Sequence, residues 1–231
     1  VTDEKVSYSY SELVKLSSSV GTALSELIAS GDAVGIYMEK CDDAVAAFFA
    51  TVYAGGFYSV LNTELPQNRL QTTVSVLNPK VIVTSESLLE TAKEYFSERK
   101  IVTFEDLAKS EPDYAKLGEI RSHKIDTDPL YINFTSGSTG TPKGIVVCHR
   151  SVIDFIDHFT EIFGIDNNDV IANQAPFDFD VSVKDIYSTL KAGATMQVLP
   201  KKLFSFPAML IDYLIERGAT TLIWAVSALC I

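Results

Sequence analysis

A loop rich in glycine and hydroxyl side chains has the residue types of a phosphate-binding site. It covers residues 131–144, with the sequence YINFTSGSTGTPKG. Glycines let backbone N–H groups approach a phosphate, hydroxyl groups donate hydrogen bonds to its oxygens, and Lys143 adds a positive charge. We therefore predict that this loop holds phosphate groups. The alternative is a surface turn that is rich in glycine and serine.

The loop matches neither of two common nucleotide-binding motifs. The Walker A sequence GxxxxGK[ST] requires a glycine directly before the lysine, and Pro142 stands in that place. The GxGxxG motif places a pyrophosphate on a helix N-terminus, and the residues here do not follow its spacing. The loop therefore indicates a different kind of phosphate site.

The elements around the loop alternate between strand and helix patterns, which is typical of an α/β fold with largely parallel sheets flanked by helices. Residues 130–134 predict a buried strand before the loop and residues 144–147 a short strand after it. Residues 110–128 are polar and predict a connector, which divides the chain into α/β subdomains at 1–128 and 129–231. Residues 181–190 predict a helix, and residues 221–226 a strand.

Composition limits the classes of partner. The chain has 231 residues and a formal net charge of −11, without a Lys/Arg block, so we expect no nucleic-acid or membrane partner.

Its three cysteines lie far apart, which indicates reduced thiols and a cytoplasmic location. The chain ends in an apolar run without a polar tail, so we expect it to be a fragment of a longer protein.

Four segments carry a resemblance to one family. Residues 135–144, TSGSTGTPKG, resemble the phosphate-binding signature of the AMP-forming (adenylate-forming) ligase superfamily. Residues 8–13 (YSYSEL), 53–70 (YAGGFYSVLNTELPQNRL) and 144–150 (GIVVCHR) are similar to further elements of that superfamily, in the same order. The resemblance implies the N-terminal portion of the large domain of such a ligase.

The resemblance also implies ATP and Mg²⁺ as cofactors. It assigns the ATP phosphates to Thr135, Ser136, Gly137, Ser138, Thr139, Gly140 and Lys143. It places the metal-binding glutamate, the adenine-binding motifs and the main catalytic lysine beyond Ile231. We therefore expect no metal ligand and no certain catalytic residue in this chain, and weak or absent activity of the chain alone.

The sequence FDVSV resembles the motif of amino-acid adenylation domains in which the aspartate binds the substrate α-ammonium group. In this chain the motif consists of Phe179, Asp180, Val181, Ser182 and Val183. A carboxylate at the mouth of an apolar pocket pairs with a cation and would be costly to bury unpaired beside a fatty-acyl or aryl substrate. The alternative role for Asp180 is to cap the helix that begins near Val181, and both roles can coexist.

Three further residues are candidates for substrate selection. Lys184 stands where related enzymes have an apolar or aromatic residue, so it either contacts an acidic substrate side chain or faces solvent. Trp224 and Ala225 lie in a segment that resembles a pocket wall, although Trp224 fits a core position equally well.

The resemblance is greatest to adenylation domains of nonribosomal peptide synthetases and to D-alanine:carrier-protein ligases. It implies ATP-dependent activation of an amino acid as aminoacyl-AMP, release of pyrophosphate, and transfer to the phosphopantetheine thiol of a carrier protein, or to a CoA-type thiol. The alternatives are an acyl- or aryl-CoA ligase, which would not need Asp180, and a truncated, non-catalytic module that binds a nucleotide or a protein.

Overall fold

The computed structural model describes residues 1–4, 6–135 and 142–229, and these residues form two compact units. The large-sheet unit consists of Ser11–Glu39 and Asp43–Arg150. The small-sheet unit consists of Val1–Tyr10, Lys40–Asp42 and Ser151–Ile231. No helix within the described residues is long and apolar enough to cross a membrane.

The large-sheet unit contains a six-stranded sheet with the strand order β4-β3-β1-β2-β5-β6. Its strands are β1 (Ala33–Tyr37), β2 (Phe57–Val60), β3 (Val81–Thr84), β4 (Ile101–Thr103), β5 (Pro129–Thr135) and β6 (Lys143–Cys148). Its helices are α1 (Tyr10–Leu24), α2 (Asp42–Tyr53), α3 (Gln67–Leu77), α4 (Leu89–Tyr95), α5 (Phe104–Leu107) and α6 (Tyr114–Ser122). All neighbouring strands are parallel except β5 and β6. The sequence prediction of largely parallel sheets is thus confirmed.

The central strands are mostly apolar, as expected for a parallel sheet whose two faces are covered by helices. Every residue of β1 and β3 is buried. Tyr37 at the end of β1 packs edge-on against Phe96, with ring centroids 5.3 Å apart, in a core cluster that also contains Leu61, Leu70 and Ile82. Strand β2 pairs with β1 along four residues, and it in turn pairs with β5 through Tyr58 and Tyr131.

The small-sheet unit is built on two parallel strands, β7 (Val170–Asn173) and β8 (Thr195–Val198). Its helices are α7 (His149–Phe163), α8 (Ser182–Ala192), α9 (Pro207–Glu216) and α10 (Val226–Leu229). The N-terminal segment extends this sheet through a bridge between Thr2 and Gln197. Tyr10 ties the same segment to the unit, because its hydroxyl donates to the carbonyl oxygens of Thr189 and Ala194 at 2.8 Å each.

The strand predicted for residues 221–226 is wrong. Thr221 makes one bridge to Ile171, and helix α10 begins at Val226. The side chain of Trp224 accounts for the short pairing, because its Nε1–H donates to the carbonyl oxygen of Ala172 at 2.7 Å. A third strand would have used that carbonyl for its own backbone ladder.

The polar connector predicted for residues 110–128 contains helix α6. Asp113 caps this helix, since its carboxylate accepts a hydrogen bond from the backbone N–H of Lys116 at 2.9 Å. Only Leu117 of the helix is buried, so the sequence shows no apolar periodicity there. The large-sheet unit includes β5 and β6, which lie after residue 128, and the domain boundary at residue 128 stays a prediction.

Candidate functional site

The glycine-rich loop connects the two antiparallel strands of the large sheet. Thr135 and Lys143 are direct partners in the ladder between β5 and β6, and the Thr135 hydroxyl donates to the carbonyl oxygen of Lys143 at 3.5 Å. Both residues are exposed. Ser136, Gly137, Ser138, Thr139 and Gly140 lie outside the described residues.

The position of the loop follows a general property of α/β sheets. Strand β5 is parallel to β2, and the loop begins at its carboxyl end, which is the edge where such sheets bind ligands. Pairing in the ladder thus places a residue with a hydroxyl group and a residue with an ammonium group side by side at this edge. Both groups suit a phosphate.

Gly144, immediately after the loop, packs closely against the side chains of β5. A Cβ atom at this position would lie 2.5 Å from Cδ1 of Ile132 and 3.2 Å from Cε1 of Phe134. Such a contact is far inside van der Waals separation, so a side chain here would require Ile132 or strand β6 to shift. The glycine that follows Lys143 therefore has a structural role besides any role at the phosphates.

The FDVSV segment covers the end of the loop after β7 and the first two residues of helix α8, in the small-sheet unit. Phe177 is buried, whereas Phe179, Asp180 and Val181 are exposed. Ser182 fixes the turn, because its Oγ donates to the carbonyl oxygen of Phe179 at 2.7 Å. The turn therefore presents three of the predicted substrate residues at the surface of the unit.

The alternative role of Asp180 as a helix cap is wrong. Val181 occupies the N-cap position of α8, and no side-chain hydrogen bond caps this helix. The backbone carbonyl of Asp180, not its carboxylate, accepts from the N–H of Val183 at 3.0 Å. The exposed carboxylate is therefore not needed to begin the helix.

The other candidate residues have different surroundings. Lys184 is half-buried and lies close enough to Asp185 to lower the pKa of that carboxyl. Trp224 is half-buried, stacks edge-on against Phe204 with centroids 5.2 Å apart, and packs on the core cluster that contains Ala172 and Leu199. Ala225 is exposed. The packing of Trp224 supports the core interpretation.

The sequence analysis missed a polar cluster at the base of the loop between β7 and α8, which carries Asp180. The amide of Asn173 donates to the carboxylate of Asp185 at 2.6 Å, and both side chains are fully buried. The ammonium group of Lys40 donates to the backbone carbonyls of Asn173 and Gln174 at 2.9 and 3.1 Å. Burial raises the pKa of Asp185 to about 6 and lowers the pKa of Lys40 to about 7.

The described residues contain no group of three or more His, Cys, Asp or Glu side chains that could hold a metal. We assign no protein ligand to Mg²⁺ among the described residues.

The largely parallel sheet, the Gly/Ser/Thr sequence after β5 and the FDVSV segment agree with the resemblance of the sequence to adenylate-forming ligases. The family model described as AMP-binding enzyme matches residues 1–231, and the chain belongs to this family.

Known proteins of this type are similar over most of the chain. Nonribosomal peptide synthetase 13 of Aspergillus fumigatus is 33% identical over 210 residues, which cover 89% of this chain and 9% of that protein. D-alanine--D-alanyl carrier protein ligase of Lacticaseibacillus rhamnosus is 28% identical, over 86% of this chain and 38% of that ligase. The crystal structure of ATP-bound MatB from Rhodopseudomonas palustris has a TM-score of 0.82 and 25% identity, over 95% of this chain and 44% of MatB. The chain therefore spans less than half of each of these relatives.

Proposed function

We propose that the protein activates an amino acid with ATP and forms an aminoacyl-adenylate and pyrophosphate. The phosphate contacts come from the loop after β5, and the substrate ammonium group pairs with Asp180. The residues assigned to the phosphates are Thr135, Ser136, Gly137, Ser138, Thr139, Gly140 and Lys143. The residues assigned to the amino acid are Phe179, Asp180, Val181, Lys184, Trp224 and Ala225.

The surroundings of Asp180 carry this proposal. Its carboxylate is exposed beside the exposed Phe179 and Val181, and helix α8 begins without using it as a cap. An amino acid brings an ammonium group that would form a charge-assisted hydrogen bond with this carboxylate. An acyl or aryl acid brings no such partner.

The chemistry requires positioning and charge neutralisation. A carboxylate oxygen of the amino acid attacks the α-phosphorus of ATP, the bond from that phosphorus to the bridging oxygen breaks, and pyrophosphate leaves with the electron pair. Lys143 and the hydroxyl groups would neutralise charge on the departing phosphates. Mg²⁺, which would be brought by the nucleotide, would supply further charge neutralisation.

The acceptor in the second step is a thiol. Its sulfur attacks the carbonyl carbon of the adenylate, and AMP leaves as the carbon–oxygen bond breaks. The ligase of L. rhamnosus is named for a carrier protein, which supports a carrier-protein thiol on phosphopantetheine as the acceptor. We infer a cytoplasmic location for this reaction, because its substrates ATP and the carrier are expected there.

The test is amino-acid-dependent exchange between ATP and pyrophosphate. We would measure it with the chain and with the full-length gene product, over a panel that includes both enantiomers of alanine, the acidic amino acids, and aryl and fatty acids. Exchange with one amino acid, lost in Asp180→Ala, is the expected result. Asp212→Asn is the matched control, because Asp212 is an exposed carboxylate elsewhere in the same unit. Exchange with aryl or fatty acids alone would contradict the proposal.

A further inference from the structure

Three polar side chains form a cluster at the base of the loop that carries Asp180. We call Lys40, Asn173 and Asp185 the base cluster. Residues 174–181 leave the carboxyl end of β7 at Asn173 and lead into helix α8, on which Asp185 lies. The base cluster thus lies where the loop begins and where it ends.

Hydrogen bonds in the base cluster join the two ends of the loop. The Asn173 amide donates to Asp185 Oδ2 at 2.6 Å, which fixes the last residue of β7 to helix α8. Lys40 Nζ donates to the carbonyls of Asn173 and Gln174 and lies 5.7 Å from the ring centroid of Phe177. Lys40 therefore contacts both the first residues of the loop and its buried aromatic anchor.

Stability alone does not explain such a cluster. Replacing buried polar or charged groups with well-packed apolar side chains is often neutral or stabilising. Here Oδ1 of Asp185 and Oδ1 of Asn173 are buried and have no hydrogen-bond partner among the described residues, which adds a desolvation cost. The hydrogen bonds of the base cluster have a different effect: because they are directional and lie at both ends of loop 174–181, they restrict the conformations of that loop.

We propose that Lys40 and Asp185 are positioning residues for the amino-acid site, because they hold loop 174–181 at its base and so fix the location of the Asp180 carboxylate. This inference rests on the proposed role of Asp180. Neither residue is assigned a contact with substrate. Their effect on activity passes through the loop.

The experiment uses paired variants of the full-length protein. Lys40→Met removes the donors, whereas Lys40→Arg retains them. Asp185→Ala removes the acceptor for Asn173, whereas Asp185→Asn retains a carbonyl oxygen of the same shape. The control is Lys191→Met, because Lys191 also lies on α8 but is exposed and pairs with Asp157 at 2.5 Å.

The first readout is hydrogen exchange of backbone amides, which does not depend on activity. We expect peptides covering residues 174–183 to exchange roughly tenfold faster in Lys40→Met and Asp185→Ala, with β8 and α9 unchanged. Lys40→Arg, Asp185→Asn and Lys191→Met should resemble the wild type. Unchanged exchange in this loop, or faster exchange throughout the unit, would overturn the proposal.

The second readout separates binding of the two substrates. In ATP–pyrophosphate exchange, Lys40→Met and Asp185→Ala should raise the KM for the amino acid about tenfold, with little change in kcat or in the KM for ATP. Equal changes in both KM values would contradict a role in positioning Asp180. If the loop is loosened as expected but the wild type activates no amino acid, the proposed function fails while the holding role of the base cluster stands.

Discussion

Thr135 and Lys143 face each other across the ladder between β5 and β6, so backbone pairing joins the two ends of the seven-residue segment that lies between them in sequence. The hydroxyl and ammonium groups at these ends are both exposed, and the strands below them are anchored in the sheet. Sheet formation therefore places the backbone of both residues before any ligand binds. Such preorganisation is what a phosphate site needs.

Removing the charge of Lys143 should reduce activity without unfolding the protein. We expect Lys143→Ala to lower kcat/KM for ATP roughly 100-fold, because one electrostatic contact to developing charge is lost. The free energy of unfolding should change by less than about 0.5 kcal/mol, since the side chain is exposed. Exchange kinetics and denaturant titration measure the two quantities. Lys93→Ala, at an exposed surface pair with Glu90, is the control for a lost lysine.

Adding a methyl group at Gly144 should destabilise the large-sheet unit. The new Cβ would lie 2.5 Å from Cδ1 of Ile132, so we expect Gly144→Ala to cost about 1–3 kcal/mol in denaturant titration. Ile132→Val removes that Cδ1 and should make the double variant less unstable than the sum of the two single changes. Gly118→Ala is the matched control, because a Cβ there meets no atom within 4 Å. A Gly144→Ala variant as stable as the wild type would show that β6 moves away freely.

The sequence predicted the elements whose signals are local. The apolar run of residues 130–134 and the exit strand at 144–147 lie within the observed β5 and β6, because a strand–loop–strand unit is encoded in adjacent residues. Helix α6 was missed because its stability comes from the Asp113 cap and not from an apolar stripe.

Long-range contacts account for the other differences. Lys40 contacts Asn173 and Gln174, more than 130 positions away in sequence, so no local pattern could reveal the base cluster. The local sequence feature that indicates the base cluster is Lys40 itself, an isolated lysine after a buried strand. The strand predicted at residues 221–226 failed for a similar reason, since Trp224 competes with the backbone for the Ala172 carbonyl.

The carboxyl group of Asp185 should make stability fall as pH rises from about 4 to about 6. Burial raises its pKa from 3.8 to about 6, so in this window the folded state keeps a proton that the unfolded state releases. Stability falls where the folded state binds more protons, with a slope of about 1.4 kcal/mol per pH unit. The neighbouring charges of Lys184 and Lys40 reduce this shift. The difference in unfolding free energy between wild type and Asp185→Asn, measured against pH, should show this slope. A flat difference would contradict the burial of the charge.

The ammonium group of Lys40 should have the opposite effect at higher pH. Burial lowers its pKa from 10.5 to about 7, and the charge of Asp185 opposes this shift. Between these values the unfolded state binds the proton and the folded state does not, so stability should rise with pH. The wild type should gain stability relative to Lys40→Met from about pH 7 upward. Lys191→Met, which removes an exposed lysine, should show no such trend relative to the wild type.

The role of Trp224 can be decided by one conservative change. Trp224→Phe keeps an aromatic ring against Phe204 but removes the N–H that binds the buried carbonyl of Ala172. An unsatisfied buried carbonyl costs about 1–3 kcal/mol, so we expect denaturant titration to show a loss of that size. If Trp224 is a core residue, the relative rates for different amino acids in pyrophosphate exchange will stay the same. A changed order of preferred amino acids with unchanged stability would instead assign the indole to the substrate pocket, because only a residue that contacts the substrate side chain alters selection without altering the fold.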